Sequence, residues 1–142
     1  MLLNDQCALV SNFDDSEILD SMYFMRDEIL SSSNRGKTYI EYYYTLSDFI
    51  VNSNLYSDDN EFIEYYFNAH ELGYEMVFNY LNPFFSGVLI GENQYNEFMK
   101  MSTHLRTITS DQSIIAILGV LESDLQLLKD KNASYVRQYF EN

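Results

Sequence analysis

Cysteine, proline, glycine and tryptophan are scarce in this chain of 142 residues. It has one Cys, one Pro, five Gly and no Trp. A single cysteine, Cys7, cannot form an intrachain disulfide, which argues against the disulfide-stapled class of small secreted proteins. So few Gly and Pro residues are atypical of collagen-like, disordered and loop-rich β proteins. A chain of this length corresponds to one domain and can bury a core without the help of a metal or a disulfide.

Basic residues are also scarce, and they are missing from the middle of the chain. The sequence holds 22 Asp and Glu against 8 Lys and Arg, a net charge of −14. Residues 38–99 hold ten acids and no Lys or Arg, which gives that segment a net charge of −10. Because Lys and Arg carry the affinity for phosphate backbones and anionic lipids, direct binding to nucleic acid or membrane is not expected. The charge predicts a neutral or basic partner; alternatively, it only keeps the protein soluble.

The start of the chain and its apolar runs show no sign of export or membrane insertion. Residues 1–7 lack the basic n-region and the apolar h-region of a signal peptide. The longest apolar run, residues 114–121, is far shorter than the roughly 20 residues that span a bilayer. We therefore expect a soluble, cytoplasmic protein, whose oligomeric state the sequence does not indicate.

Apolar residues recur every three to four positions along most of the chain, as on one face of an α-helix. Asp58 with Glu61 three residues later is typical of a capping box, and Asn82-Pro83 is typical of a helix end. Residues 84–91 contain two glycines and are predicted to form a loop with apolar anchors, with a short helix or a lone strand as the alternatives. The predicted helices are 15–31, 36–53, 58–81, 92–107, 111–130 and 132–141. The expected fold is all-α, a single-domain bundle of five or six helices over residues 1–142, joined by short loops.

A motif with fixed spacing occupies residues 26–47. It reads Arg26-Asp27-Glu28-Ile29-Leu30, then after five residues Gly36-Lys37-Thr38-Tyr39-Ile40, then Tyr42-Tyr43 and Ser47. This motif resembles the core of the bacterial CFI-box C-terminal domains, with their Arg-Asp-x-x-Leu, Gly-Arg-x-aromatic-aliphatic, Tyr-Tyr and Ser-Pro elements. Cys7-Ala8-Leu9-Val10 is similar to a degenerate Cys-Phe-Ile box. Lys37 replaces the usual Arg, and Asp48 stands where the family has Pro.

The resemblance covers about residues 7–52. It implies a helical hairpin there, with residues 53–142 supplying the remaining helices of the same bundle, and it implies bacterial or phage ancestry. It implies no activity, because the family has no assigned reaction. The residues also have a structural interpretation, in which Gly36 supplies a turn where a side chain would clash and Tyr42 and Tyr43 pack the hairpin.

Residues with catalytic or metal-binding chemistry do not form a recognisable pattern. Cys7 would need His70 or His104 beside it to act as a nucleophile; otherwise it is a small buried thiol or a frayed terminal residue. A metal could draw on Glu61, Glu64, His70, Glu71 and Glu75, but the Glu-x-x-His motif of di-iron bundles is missing. A solvated acidic face is the simpler interpretation of these residues. We therefore predict no enzymatic activity, no cofactor and no metal.

Tyrosines interleaved with acidic residues mark the segment 39–80. Tyr is favoured at recognition surfaces because it brings a large contact area at a small entropic cost, although an aromatic core with wetted hydroxyls would need the same residues. We predict a non-enzymatic, acidic module that binds another protein with a basic surface, for example as a phage or mobile-element inhibitor of a basic host protein. The expected contact residues are Tyr42, Tyr44, Asp58, Asp59, Glu61, Glu64, Tyr65, Glu71, Tyr74 and Glu75.

Two alternatives remain open at this stage. The first is a small enzyme with a site between helices that combines acids with His70 or His104. The second is a structural module that forms homo-oligomers through the apolar segment 84–90. A pocket with convergent polar groups would favour the enzyme, and self-association in solution would favour the oligomer.

Overall fold

The computed structural model describes residues 16–142, with their side chains from residue 19 onward. A π-helical turn, Met25–Ile29, and a 3₁₀ turn, Leu30–Ser32, lie between the first two helices. The α-helices in this range are α1 Ser16–Phe24, α2 Asn34–Asn52, α3 Leu55–Asp58, α4 Asn60–Leu81, α5 Glu92–Ile108, α6 Gln112–Leu128 and α7 Ala133–Glu141. The described part has no strand, only an isolated β-bridge between Val88 and Asn132. The predicted all-α class is therefore confirmed, whereas Cys7 and the box-like residues 7–10 lie outside the described range.

The described residues form seven α-helices, and the predicted number of five or six is wrong. The predicted helix over 15–31 ends at Phe24, and its second half winds into the π and 3₁₀ turns. Before the predicted helix over 58–81, Leu55–Asp58 forms a separate helical turn. The other predicted helices agree with the structure to within two residues at each end. The predicted loop over 84–91 is also confirmed, with Leu89 and Ile90 as its buried anchors.

Side-chain caps determine where four of the helices begin. Each capping oxygen accepts a hydrogen bond from a backbone N–H in the first turn, which satisfies a donor that has no partner inside the helix. The capping residues are Ser33, Asp59, Asp111 and Asn132. The predicted capping box of Asp58 with Glu61 is wrong. Asn54 adopts a left-handed φ of 55° and begins α3, so Asp58 ends that turn and Asp59 caps α4.

The first turn of α2 touches the 3₁₀ turn before it, and this contact requires glycine. A Cβ atom on Gly36 would lie 2.0 Å from the carbonyl oxygen of Leu30 and 2.6 Å from its carbonyl carbon. Ser33 completes the junction, because its hydroxyl donates to the carbonyl of Phe140 in α7. No described glycine has a positive φ. The predicted clash of a side chain at Gly36 is therefore confirmed, and it comes from the close approach of two backbone segments.

The π turn carries a buried arginine that joins it to α2. Arg26 is 9% exposed, and its Nη1 donates to the hydroxyl of Tyr44 at 3.0 Å. Its Nε and Nη2 donate to the carboxylate of Asp27 at 2.6 Å and 2.8 Å, and its guanidinium lies 5.1 Å from the ring centroid of Tyr23. A buried guanidinium needs such partners, since an unpaired buried charge is strongly destabilising.

Buried apolar side chains of the described residues form two clusters. The first joins α2 to α6 through Ile50, Leu55, Phe62, Leu105, Ile114 and Leu118. The second joins the end of α4, the following loop, the end of α6 and α7 through Tyr80, Leu89, Ile90, Leu128, Ala133 and Val136. Among the described helices, none combines the length and apolar character that crossing a bilayer requires.

A cavity of about 380 Å³ lies between the two clusters. Ile50, Leu105 and Leu118 of the first cluster and Tyr80, Leu128 and Val136 of the second belong to its wall. The cavity is only partly enclosed, and its wall is almost wholly apolar.

Hydroxyl groups pair with several acidic side chains at the helix junctions. The carboxylate of Asp124 in α6 accepts from the hydroxyls of Tyr39 in α2 and Tyr139 in α7. The hydroxyl of Tyr80 donates to Glu141 at 2.8 Å. Burial, reinforced by the Asp124 carboxylate, raises the pKa of Tyr139 to about 12, so its hydroxyl keeps its proton and remains a donor at neutral pH.

The carboxylate of Glu122 joins α5 to α6. Glu122 accepts from Nε and Nη2 of Arg106 at 2.9 Å and 2.8 Å, and from the hydroxyl of Ser102. These hydrogen bonds, that of Arg106 first, lower the pKa of Glu122 below its ordinary value near 4.5. Glu122 is therefore ionised and fully partnered between the two helices.

Two glycine substitutions should change stability in opposite directions. Gly36→Ala places a methyl group against the backbone of Leu30 and should lower the free energy of unfolding by about 3 kcal/mol. Gly73→Ala, in the interior of α4, meets only the ring of Phe98 at 3.7 Å and should raise it by about 0.5–1 kcal/mol. Urea unfolding followed by circular dichroism at 222 nm measures both values. Equal stability of the two variants would contradict this account of Gly36.

Candidate functional site

The outward face of α4 combines exposed aromatic rings with carboxylates. We call the residues Glu64, Phe67, Glu71, Tyr74, Glu75 and Phe78 the α4 stripe. At about 100° per residue, their positions fall within an arc of roughly 100° on the helix. Phe67 is 52% exposed and Phe78 is 58% exposed. The ring of Tyr74 lies 6.2 Å from that of Phe78, centroid to centroid, so aromatic rings and carboxylates share this face of the helix.

No basic side chain neutralises the carboxylates of the α4 stripe. None of the salt bridges among residues 19–142 includes Glu64, Glu71 or Glu75. All three acids are exposed, and the segment 38–99 that contains them has no Lys or Arg. The stripe therefore presents apolar contact area inside a negative field, which suits a partner that offers both an apolar pocket and basic groups.

Four of the ten predicted contact residues lie on the α4 stripe: Glu64, Glu71, Tyr74 and Glu75. Phe67 and Phe78 were not among the predicted contact residues. Helical periodicity could have found both. On a helical wheel of α4 they lie on the side opposite the buried residues Phe62, Ala69 and Tyr80. An exposed Phe eleven residues from another, on the same side of a helix, is a pattern that core packing does not require.

Another group of predicted contact residues lies at the N-terminal end of α4 and makes contacts within the protein. The carboxylate of Asp59 accepts from the backbone N–H of Phe62 and contacts Nε2 of His104 at 2.7 Å. Glu61 lies 3.2 Å from Nδ1 of the same ring, and Tyr65 packs its ring edge-on at 5.6 Å. The Phe62 N–H first, and then His104, lower the pKa of Asp59 below its ordinary value of 3.8. These residues join α4 to α5.

The remaining predicted contact residues lie away from the α4 stripe. Tyr44 accepts the hydrogen bond of buried Arg26, and Tyr42 packs against Tyr39 with ring centroids 5.9 Å apart. Asp58 is exposed at the end of α3. The structure therefore gathers part of the predicted set on one helix face and engages Tyr42 and Tyr44 in packing.

A polar groove of about 660 Å³ runs between α4 and α5 beside His104. Both ring nitrogens of His104 contact carboxylate oxygens, one of Asp59 and one of Glu61. Both nitrogens therefore face carboxylates of the protein itself. His70 lies elsewhere on α4, where burial lowers its pKa and its ring stacks on Tyr66 at 6.2 Å.

Metal-ligating residues do not converge in the part of the chain that is described. No three His, Cys, Asp or Glu side chains among residues 19–142 come together as a metal site would require. Of the candidates, Glu61 contacts His104, whereas Glu64, Glu71 and Glu75 point to solvent.

The segment 84–90 is tied into the fold on one side and exposed on the other. Leu89 and Ile90 are buried, whereas Phe84 is 91% exposed. The backbone oxygen of Gly87 accepts from the N–H of Ala133, and that of Ile90 accepts from Asp130, each at 2.8 Å. The buried apolar side chains of this segment therefore pack in the second cluster, and Phe84 and Val88 remain at the surface.

Comparison of the chain with protein-family models, with curated proteins and with solved structures found no match.

The pH dependence of stability should reveal the role of Asp59. Its pKa is lowered in the folded chain, so its charge stabilises the fold above its ordinary pKa of 3.8, and this contribution is lost as the pH falls through the lowered value. Asp59→Asn keeps a capping oxygen but loses the charge. Its destabilisation relative to the parent chain should be largest near neutral pH and should shrink as the pH falls below 3.8, as measured by urea unfolding at a series of pH values.

Asp58→Asn is the matched control, because it removes one exposed charge from the adjacent position without touching the cap. Asp59→Ala should cost about 1 kcal/mol at neutral pH, since it removes the cap itself. A pH-independent difference between Asp59→Asn and the parent chain would contradict the proposed ionic contribution.

Proposed function

We propose that this chain is a non-enzymatic interaction module that binds a basic protein through the α4 stripe. The observation that carries the proposal is the pair of exposed rings, Phe67 and Phe78, on a helix face edged by Glu64, Glu71 and Glu75. Aromatic residues are the commonest anchors of protein interfaces, and the charged rim around them sets the partner and the rate of encounter.

The negative charge supports a basic partner. The net charge of −14 gives a field that steers basic surfaces toward the chain and repels acidic ones. The partner chemistry that fits is an apolar pocket or groove flanked by Lys and Arg. Nucleic-acid-binding proteins carry such basic grooves, so inhibition of a basic host protein by a phage or mobile-element product is the finer form of this proposal. Its bacterial setting and its cytoplasmic location rest on the sequence alone.

Removing the exposed rings of the α4 stripe should weaken binding. The tagged chain is used at low salt to retrieve its partner from the native host, and the purified partner is then titrated calorimetrically. Phe67→Ala and Phe78→Ala should each weaken binding by about tenfold or more, because both are central aromatic anchors. Phe84→Ala, which removes an even more exposed ring outside the stripe, should change the affinity less than about twofold. A partner that binds all three variants equally, or retrieval of nucleic acid in place of a basic protein, would refute the proposal.

The position of the charge, and not its total, should set the salt dependence of binding. The triple variant Glu64→Gln, Glu71→Gln, Glu75→Gln should associate more slowly and lose much of its sensitivity to salt between 50 and 300 mM, because its steering charges are gone. The matched control neutralises three exposed acids elsewhere, Glu41, Asp48 and Glu92, with the same change in net charge. Stopped-flow association rates distinguish the two. Equal slopes of rate against salt concentration for both triples would mean that the stripe is not the contact surface.

A further inference from the structure

We propose that the cavity between the two core clusters is a binding site for an uncharged, hydrocarbon-rich small molecule of about 15 non-hydrogen atoms. An apolar cavity of about 150 Å³ accepts benzene, with six such atoms, and the cavity here is about 380 Å³. Scaling by volume gives the size of the occupant. The proposal does not depend on the α4 stripe.

Water does not suit this cavity. A water molecule takes a share of about 30 Å³ and needs two to four polar partners to leave bulk solvent. The polar side chains that reach the wall have partners already. Tyr39 donates to Asp124, Tyr80 donates to Glu141, and Ser102 donates to Glu122. Water in this cavity would find few hydrogen-bond partners, whereas an apolar molecule would gain contacts with the apolar wall.

The wall selects against charged ligands. No Lys, Arg or His occurs among the described residues that line the cavity, so a carboxylate or phosphate head group would find no cation there. The carboxylates of Glu122 and Asp124 are at the wall and would repel an anion. They are also fully engaged, Glu122 with Arg106 and Ser102, and Asp124 with two tyrosines, so a ligand cation would have to break existing hydrogen bonds.

Methionines give the wall the adaptability that an irregular hydrocarbon needs. Met25, Met76 and Met101 line the cavity from the π turn, α4 and α5, and Phe98 and Phe140 add aromatic faces. Methionine is unbranched and polarisable, and it adjusts its shape to fill irregular space. The cavity is therefore shaped by side chains that can close around guests of somewhat different outline.

The binding test uses N-phenyl-1-naphthylamine, an uncharged fluorescent probe of suitable size, with the full chain. Saturable binding of one probe per chain is expected, together with a rise in the unfolding temperature, because a ligand that binds only the folded state stabilises it. Val77→Phe places a ring at the cavity wall and should lower the affinity for the probe by about tenfold or more. Val120→Phe makes the same change at an exposed position of α6 away from the wall and should alter binding less than about twofold.

If Val77→Phe fails to fold, the second pair is Leu121→Phe at the wall and Leu127→Phe at the surface. Displacement then tests the class of ligand. 1-Dodecanol should displace the probe. Dodecanoate is of nearly equal size but should need an at least about tenfold higher concentration for the same displacement, because its charge has no partner in the cavity. The proposal is overturned by a lack of saturable binding, by equal effects of the wall and surface substitutions, or by equal displacement by the alcohol and the carboxylate.

Discussion

A chain with so few cations must find other partners for the carboxylates that its fold brings inside. Tyrosine and serine hydroxyls fill that role, with Tyr39 and Tyr139 on Asp124 and Tyr80 on Glu141. A hydroxyl donates to an ionised carboxylate through a short, charge-assisted hydrogen bond without adding a second charge that must also be desolvated. The large number of tyrosines is thus explained in part by the charge balance, and among residues 19–142 the acids that form no hydrogen bond or salt bridge are exposed.

The regular parts of this fold are determined locally, and the irregular parts are determined by partners distant in sequence. Helices α5 and α6 were predictable because each has a clear apolar stripe and Asp111 caps the second. The break in the first predicted helix was not predictable. It coincides with Arg26, which lies in the π turn and donates a hydrogen bond to Tyr44, 18 residues later. The separate turn α3 depends on the left-handed conformation of Asn54, which no periodicity reveals.

The candidate site divides in the same way. Helical spacing alone places Glu64 and Glu71 on one face of α4, so that part of the site follows from the sequence. The engagement of Asp59 with His104 depends on how α4 and α5 meet, 45 residues apart, and the sequence holds no signal for it. The cavity was also out of reach, because it arises from space left between side chains that are individually ordinary core residues.

The two faces of α4 show which of its residues the fold itself requires. On the inner face, Phe62 and Tyr80 are buried and hold the helix in place. On the outer face, Glu71 and Glu75 are like charges four residues apart, which destabilise a helix by roughly 0.2–0.5 kcal/mol. Phe67 forgoes much of the roughly 1.5–3 kcal/mol that full burial would supply. Residues that weaken the isolated chain are candidates for binding, because a partner can supply both the burial and the opposite charge that the fold does not.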